Sequence, residues 1–199
     1  MDAIPSDVLV ILDEAYREFV DDPAAVRGEE IIGLHPQVVV LRTFSKAYGL
    51  AGLRIGYAVG DSAILDAART VSIPLSVTAA AHDAAVASLE VEDELNERIA
   101  ILAGRRNELT QRLRELGYSV PDSQGNFIWL TLGAQATAFA EFFAKEGLVV
   151  RPFAGHGVRI SAGEAASIPR VIELAHRFVT DIGLQDAARE NPAPANSAG

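Results

Sequence analysis

Three predominantly apolar runs lie in the first third of the chain, at residues 8–12, 38–44 and 55–60. Runs of this length that are bounded by turn residues are typical of strands buried on both faces of a sheet. We therefore expect three buried strands in this part of the chain. The first run ends in the polar sequence DEAY (13–16), so the carboxyl end of that strand carries candidate functional side chains.

Helical patterns accompany these strands. Asp61 is a favourable N-cap residue and predicts a helix over 61–70, and the alanine-rich segment 79–90 predicts a second helix. The mixed segment 21–35 predicts a loop with a short helix. A succession of strands and helices of this kind indicates an α/β fold.

A long amphipathic helix follows. From Leu95 to Leu116, aliphatic residues recur at three- and four-residue steps, with one wider gap across Arg106. Gly117 supplies a stop signal at the carboxyl end. A helix of this length can leave one domain and enter another.

The pattern changes after the long helix and indicates a smaller α+β unit. The predicted elements are strands at 126–132, 149–153 and 157–163, and helices at 135–146 and 165–180. We expect one domain at 1–90 and a second, which includes the long helix, at 91–183. The small, polar, proline-bearing end of the chain predicts a disordered tail at 184–199.

Composition narrows the class of function. The 199 residues are 49% hydrophobic and carry a net charge of −10, which argues against nucleic acid or an anionic membrane as a partner. The first residues lack the basic and apolar regions of a signal peptide, and the chain has no cysteine for a disulfide or a thiolate metal site. We expect a cytoplasmic globular protein.

The candidate chemistry lies on the glycine-rich connection between the second and third strands. Lys46 directly follows a buried strand, and loops at the carboxyl ends of strands are where α/β folds build their sites. A lysine in a shielded pocket becomes a nucleophile toward carbonyl groups. Arg54 can bind a phosphate through two parallel hydrogen bonds. Gly49 and Gly52 allow the connection to fold back so that Lys46 and Arg54 approach one ligand.

Further polar side chains surround this pair in the sequence. Thr43 and Ser45 offer hydroxyls to phosphate oxygens, Asp13 offers a carboxylate to a protonated ring nitrogen, and Tyr16 offers a phenol to a ring oxygen. Each residue alone is equally consistent with a surface, capping or packing role. Together with a lysine for an aldehyde, they match the polar groups of pyridoxal phosphate.

The order D-x-x-Y, then S-K-x-x-G-L-A-G-L-R-I-G-Y, resembles the class I/II aminotransferases of pyridoxal-phosphate fold type I. It is most similar to the histidinol-phosphate aminotransferase branch and, within it, to the aromatic amino acid (phenylalanine) aminotransferases of actinobacteria. The resemblance implies a partial three-layer αβα large domain and a smaller α+β carboxyl-terminal domain. It also implies a homodimer with its sites at the interface.

The resemblance implies a role for each site residue. Lys46 would form the Schiff base with the cofactor and then move a proton between the substrate Cα and C4′ of the cofactor. Asp13 would keep the pyridine nitrogen protonated, and Tyr16 would donate a hydrogen bond to the 3-oxygen. The cofactor phosphate would be bound by Arg54, Ser45 and Thr43.

The substrate residues implied by the resemblance lie in the smaller unit. Arg159 would bind the substrate α-carboxylate, although an exposed strand arginine is the alternative interpretation. Asn126 would lie near the substrate. Arg151 is a weaker candidate for the same site, and His156 is better interpreted as a turn residue.

The implied reaction moves an amino group from an L-amino acid, with aromatic amino acids favoured, to a 2-oxo acid in amino acid biosynthesis. Histidinol phosphate is the alternative substrate, and a decarboxylase or racemase would share Lys46. A non-enzymatic alternative is a truncated, inactive fragment or interaction domain. Because the family extends upstream of the matched part, strand 8–12 would lack neighbours and expose apolar surface. We therefore expect the isolated chain to be poorly soluble or to associate, with weak cofactor binding and slow turnover.

Overall fold

The computed structural model describes residues 4–184 and divides the chain into two compact units between Ile99 and Ala100. The division falls inside the long helix rather than before it. The tail predicted for 184–199 lies outside the described residues, except for Leu184. No helix within residues 4–184 is both long and apolar enough to cross a membrane.

The first unit is built on a three-stranded sheet with β2 (Val38–Thr43) at its centre. Strand β1 (Val10–Asp13) pairs with β2 in parallel, and β3 (Gly56–Gly60) pairs with it in antiparallel. Asp13 pairs with Leu41 in this register, so β1 and β2 end at the same edge of the sheet.

Three helices accompany this sheet: α1 (Gly28–Ile31), α2 (Ser62–Thr70) and α3 (Ala79–Glu90). Asp61 accepts a hydrogen bond from the amide of Ala63 at 2.8 Å, which confirms the predicted N-cap of α2. The three helices and the three strands agree with the elements predicted from the sequence.

The burial predicted for the strands is correct for β2 and wrong for its two neighbours. Val38 is fully buried, whereas Ile11 on β1 is 59% exposed and Val59 on β3 is 44% exposed. Strands β1 and β3 are the outer strands of the sheet that the structure describes, so each has one paired neighbour. An apolar strand can be buried, but it becomes buried only where other strands or helices pack against it.

Helix α4 (Glu92–Glu115) is the long amphipathic helix predicted from the sequence. It ends where Gly117 adopts a left-handed conformation with φ of 90°. The amide of Gly117 donates to the carbonyl of Arg114 at 2.9 Å, and the amide of Tyr118 donates to that of Leu113 at 3.1 Å. This pair of bonds is a Schellman cap, which confirms the predicted stop.

The second unit packs two helices, α5 (Ala136–Lys145) and α6 (Ser167–Asp181), with an antiparallel sheet. The strand order is β4 (Phe127–Thr131), β6 (Gly157–Ser161) and β5 (Arg151–Phe153), which matches the predicted elements. The core contains a cluster of aromatic rings, and its fully buried members are Phe139, Phe143 and Phe178.

Candidate active site

A cleft of about 320 Å³ opens at the carboxyl edge of the first sheet. Ligand pockets run from about 300 to 1,000 Å³, so this one suits a small molecule. Five of the six residues predicted to bind a cofactor line it: Asp13, Thr43, Ser45, Lys46 and Arg54. The sixth, Tyr16, is close by, because the Nζ atom of Lys46 lies 5.3 Å from the centroid of its ring.

The sheet brings these residues together. Asp13 is the last residue of β1 and Thr43 the last of β2, and the two strands are parallel neighbours. The amide of Glu14 donates to the carbonyl of Leu41 at 2.9 Å, which continues the pairing one residue past β1. Loops that leave the carboxyl ends of adjacent parallel strands meet at one edge, which is the usual place for a site in an α/β fold.

The Lys46 loop is closed by backbone hydrogen bonds. The amide of Gly49 donates to the carbonyl of Lys46 at 3.1 Å, and the amide of Leu50 donates to that of Phe44 at 2.9 Å. Gly49 has φ of 71°, which lets the chain turn back as the sequence predicted. Phe44 is buried and anchors the start of the loop.

Arg54 returns the chain to the cleft in a strained conformation. Its φ is 53°, in the left-handed region that residues other than glycine seldom occupy. The Nη1 atom of its guanidinium donates to the carbonyl of Ala51 at 2.8 Å. Strain of this kind clusters at binding and catalytic sites, so the conformation is a second indication that Arg54 has a function.

The hydroxyls of Thr43 and Ser45 differ in their engagement. The Oγ1 atom of Thr43 accepts a hydrogen bond from the amide of Ser45 at 3.1 Å and donates to the carbonyl of Ile55 at 3.4 Å. The hydroxyl of Ser45 makes no hydrogen bond to any residue in the described range 4–184. Thr43 therefore shapes the loop, and Ser45 is the hydroxyl available to a ligand.

Asp13 presents one engaged and one available oxygen. Its Oδ1 atom accepts a hydrogen bond from the amide of Ala15 at 3.0 Å, which fixes the orientation of the carboxylate. Its Oδ2 atom has no hydrogen-bond partner among the residues that the structure describes. A carboxylate held in this way can accept a hydrogen bond from a protonated nitrogen of a ligand.

Lys46 is exposed rather than shielded. Its ammonium group makes no ion pair with any described residue, and its recorded contact is with the ring of Tyr16. The shielded pocket expected around this lysine is therefore not formed by the described residues, and the side chain is open to solvent. Lys46 thus lines the cleft with its side chain exposed to solvent.

Two charged residues beside the cleft, Glu14 and Arg42, were not predicted from the sequence. Arg42 lines it, and the carboxylate of Glu14 is buried against the guanidinium of Arg42 at 2.7 Å. Arg42 also binds Glu29 at 2.8 Å. A hydrogen bond from Arg17, supported by Arg42, holds the pKa of Glu29 below its ordinary value. Two features of the sequence could have indicated this pair: Arg42 lies inside an apolar strand, and Glu14 is the second residue of the DEAY sequence.

The predicted substrate residues belong to the second unit. Arg159 lies on β6 opposite Trp129 and Arg151, and its guanidinium carbon is 5.2 Å from the centroid of the Phe127 ring. Arg151 and Arg159 line a cleft of about 430 Å³. The carbonyl of Asn126 accepts a hydrogen bond from the amide of Ala162 at 2.8 Å, just before β4 begins.

The architecture is that of the fold type I enzymes of pyridoxal phosphate, of which the chain holds a partial α/β domain and a smaller α+β unit. The solved structure of histidinol-phosphate aminotransferase from Sinorhizobium meliloti in complex with pyridoxal-5'-phosphate is similar to this chain, with a TM-score of 0.79 and 28% identity. The match covers 90% of this chain and 50% of that one.

The chain belongs to the aminotransferase class I and II family, whose model matches residues 2–174. The aromatic amino acid aminotransferase of Streptomyces avermitilis is 49% identical over 178 residues, which are 89% of this chain and 50% of that protein. The aromatic amino acid aminotransferase of Streptomyces coelicolor is 47% identical over 178 residues, which are again 89% of this chain and 50% of that protein. The chain thus spans about half the length of these curated relatives, and the family resemblance predicted from the lysine loop is confirmed.

Proposed function

We propose that the chain is the lysine-bearing part of a pyridoxal-phosphate-dependent aminotransferase that moves an amino group from an aromatic L-amino acid to a 2-oxo acid. The observation that carries the proposal is the convergence of Lys46, Arg54, Ser45 and Asp13 on one small cleft. The identity of 49% to an aromatic amino acid aminotransferase favours an aromatic substrate over histidinol phosphate, since the histidinol-phosphate enzyme cited above is 28% identical.

The chemistry of the cleft fits the cofactor. In a chain of net charge −10, the cleft is lined by the cations Arg42, Lys46 and Arg54, by the available hydroxyl of Ser45 and by the carboxylate of Asp13. The cations and the hydroxyl complement a phosphate, and the carboxylate complements a protonated pyridine nitrogen. When bound, pyridoxal phosphate would supply an aldehyde to the amine of Lys46 and a conjugated ring that takes up the electron pair released at the substrate Cα.

Each residue then has a defined task. Arg54 and Ser45 bind the phosphate, while Thr43 holds the amide of Ser45 in place. Asp13 would hold the proton on the ring nitrogen, and Tyr16 would donate a hydrogen bond to the ring oxygen. The amine of Lys46 would act as the base that takes a proton from the substrate Cα and then as the acid that returns it.

Substrate recognition is assigned to the second unit. Arg159 would bind the α-carboxylate through a bidentate contact, and Asn126 would lie beside the substrate. A carboxylate clamp supports transamination over decarboxylation, because transamination retains that carboxylate. The proposal includes a cytoplasmic location, which is expected from the composition, and a homodimer in amino acid biosynthesis, which the family resemblance implies.

A covalent-labelling experiment tests the proposal cleanly, because the chain has only two lysines, Lys46 and Lys145. The protein is mixed with pyridoxal phosphate, reduced with borohydride, digested and analysed by mass spectrometry. We expect the added mass on the Lys46 peptide at cofactor concentrations that leave Lys145 unmodified. Both side chains are exposed, so Lys145 reports the background reactivity of a surface amine. Equal labelling of both lysines would contradict the proposal.

The substrate is tested separately. Phenylalanine and histidinol phosphate are compared as amino donors to a 2-oxo acid, with the Lys46→Ala variant as the blank. We expect turnover of phenylalanine to exceed that of histidinol phosphate. The reverse order would establish the alternative substrate.

The exposure of Lys46 favours a second candidate, a fragment that binds cofactor without turnover. Lys46 is exposed, and water at a catalytic amine weakens the interactions that a closed site would strengthen. Specific labelling of Lys46 with no turnover of either donor would support this candidate.

A further inference from the structure

The carboxylate of Glu14 is buried and bound through both of its oxygens. Its side chain is 5% exposed. The Oε1 atom accepts a hydrogen bond from the amide of Gly28 at 2.6 Å, and the Oε2 atom accepts from Nε of Arg42 at 2.8 Å. The Nη2 atom of Arg42 lies 2.7 Å from the same Oε2 atom. Both oxygens of the carboxylate are therefore bound.

The backbone around α1 is shaped to receive this carboxylate. A Cβ atom at Gly28 would lie 2.6 Å from Cγ2 of Val40 and 3.1 Å from Oε2 of Glu14. Only glycine allows the backbone to approach the sheet this closely. The amide of Gly28 thus reaches Glu14 at a position that any larger residue would block.

The Glu14–Arg42 pair joins the two segments that carry the cleft. Glu14 follows Asp13 directly and precedes Tyr16 by two residues, while Arg42 precedes Thr43. The ion pair therefore connects the residues proposed for the cofactor ring to the strand that leads into Lys46. Side-chain groups must be held within about 0.5 Å of their working positions for a site to function.

Stability alone does not account for this arrangement. The desolvation of a buried ion pair offsets most of its Coulomb attraction, so a well-packed apolar pair is often as stable. Backbone hydrogen bonds already join β1 to β2 along the whole of β1, from the amide of Val10 to the amide of Glu14. A pair with little net stabilising effect, in which Glu14 adjoins Asp13 and Arg42 itself lines the cleft, is better suited to setting the geometry of the site.

We propose that the Glu14–Arg42 pair is a positioning pair that fixes Asp13 and Tyr16 relative to the Lys46 loop. This inference rests on the proposed function for the identity of the ligand. The competing interpretation is that Arg42, which lines the cleft, contacts the cofactor phosphate directly. The two differ in what Glu14 does: a positioning pair acts as a unit, whereas direct phosphate binding needs Arg42 alone.

The first experiment is a double-mutant cycle on the full chain with Glu14→Gln, Arg42→Gln and the double variant. Dissociation constants for pyridoxal phosphate are measured by absorbance and corrected for the folded fraction found by urea titration. We expect each single variant to bind roughly tenfold more weakly and the double variant to bind no worse than either. Arg42→Lys, which keeps the charge without the planar fork, should recover part of the affinity.

Glu29→Gln is the matched control. It removes the other carboxylate from the same guanidinium, but that carboxylate is 52% exposed. Exposed ion pairs contribute little, so we expect the affinity to change by less than about threefold. Weak binding by Arg42→Gln with normal binding by Glu14→Gln would overturn the positioning role. Loss of stability without loss of affinity per folded molecule would also overturn it.

The second experiment needs no cofactor. Hydrogen–deuterium exchange is followed at residues 13–16 and 43–46 in the wild type and the variants. We expect faster exchange at both segments in Glu14→Gln and Arg42→Gln, with 127–131 unchanged as an internal reference. Unchanged exchange at 13–16 and 43–46 would refute the positioning pair whatever the cofactor does. Faster exchange in a protein whose wild type binds no cofactor would instead refute the proposed function and retain the pair.

Discussion

Arg54 illustrates how much one residue in an unusual conformation can reveal. Its left-handed backbone and its bond to Ala51 aim a permanent cation at a cleft that also holds Ser45 and Lys46. Hydrogen bonds to charged groups are worth about 1.5–3 kcal/mol, which corresponds to roughly tenfold to a hundredfold in affinity.

The first prediction follows from this geometry. Arg54→Gln should weaken binding of pyridoxal phosphate by about tenfold to a hundredfold and leave binding of pyridoxal, which has no phosphate, nearly unchanged. The measurement is the ratio of the two dissociation constants. Arg69→Gln, which alters an exposed arginine of α2 paired with Asp66, serves as control. Equal weakening for both ligands would show that Arg54 supports the loop and does not bind phosphate.

Single residues also show where sequence reasoning succeeds and where it stops. Lys46, Arg54 and Asp13 could be predicted to share a site because motif spacing and strand ends are local properties. Glu14 could not, because its partners Gly28 and Arg42 come from distant parts of the chain and meet it only in the folded sheet. The internal bonding of the Thr43 hydroxyl depends likewise on the return of the chain at Ile55.

At the scale of elements, α4 contains an arginine inside its apolar stripe. Arg106 occupies the wider gap in the leucine pattern and is 1% exposed. Its Nη1 atom donates to the carbonyl of Gly125 at 3.2 Å, and the neighbouring Arg105 donates to the carbonyl of Gly163 at 2.8 Å. The helix thereby holds the segment that precedes Asn126.

The second prediction concerns this buried cation. Arg106→Leu should lower the free energy of unfolding by about 2–4 kcal/mol, because the buried carbonyl of Gly125 loses a charged donor. Urea unfolding of the second-unit signal, which includes Trp129, measures the change. Arg112→Leu, at a half-exposed position of the same helix, should change it by less than about 0.5 kcal/mol. Similar changes in the free energy of unfolding for the two variants would mean that the buried Arg106 stabilises the unit no more than Arg112 does.

The third prediction links α5 to α6 through pH. Glu146 at the end of α5 is bound by Arg177 at 2.8 Å and by Arg170 at 2.7 Å, both on α6. The hydrogen bond from Arg177, with the charge of Arg170, lowers the pKa of Glu146 from its ordinary value of 4.5. A lowered folded-state pKa gives stability that is complete above the ordinary value and is lost as the pH falls through the folded value.

Urea titrations at neutral pH and near pH 3 test this linkage. Glu146→Gln should lose less stability on acidification than the wild type, because it has no carboxylate to protonate. Glu141→Gln, an exposed position on the same helix, should follow the wild-type pH dependence. If Glu146→Gln loses as much stability on acidification as the wild type, the contribution of these ion pairs is refuted.

The elements themselves were largely predictable, whereas their burial was not. Periodicity, N-caps and stop glycines are encoded within a few residues, so α2 and α4 were located correctly. The burial of a strand depends on what lies beside it, and the apolar run of β1 does not specify its neighbours. Strands β1 and β3 therefore kept their predicted conformation and lost their predicted burial.

For the whole molecule, the exposed strand β1 has a consequence in solution. Leu9 and Ile11 are 51% and 59% exposed, and β1 pairs on one side only in the sheet that residues 4–184 form. A strand edge with open backbone groups and apolar side chains is a template for pairing with another chain. An open edge of this kind gives the isolated chain a route to association.

The fourth prediction is that the isolated chain associates through this edge and that one charge there reduces the association. Ile11→Lys places a strongly hydrated cation on β1, which disfavours pairing because that charge must lose water when a second strand covers it. Sedimentation velocity over a range of protein concentrations should show association of the wild type and a shift toward monomer in the variant. Ile101→Lys is the matched control, since Ile101 is 54% exposed but lies on helix α4. Equal effects of the two lysines would attribute the association to net charge rather than to the edge of β1, and a monomeric wild type would refute it altogether.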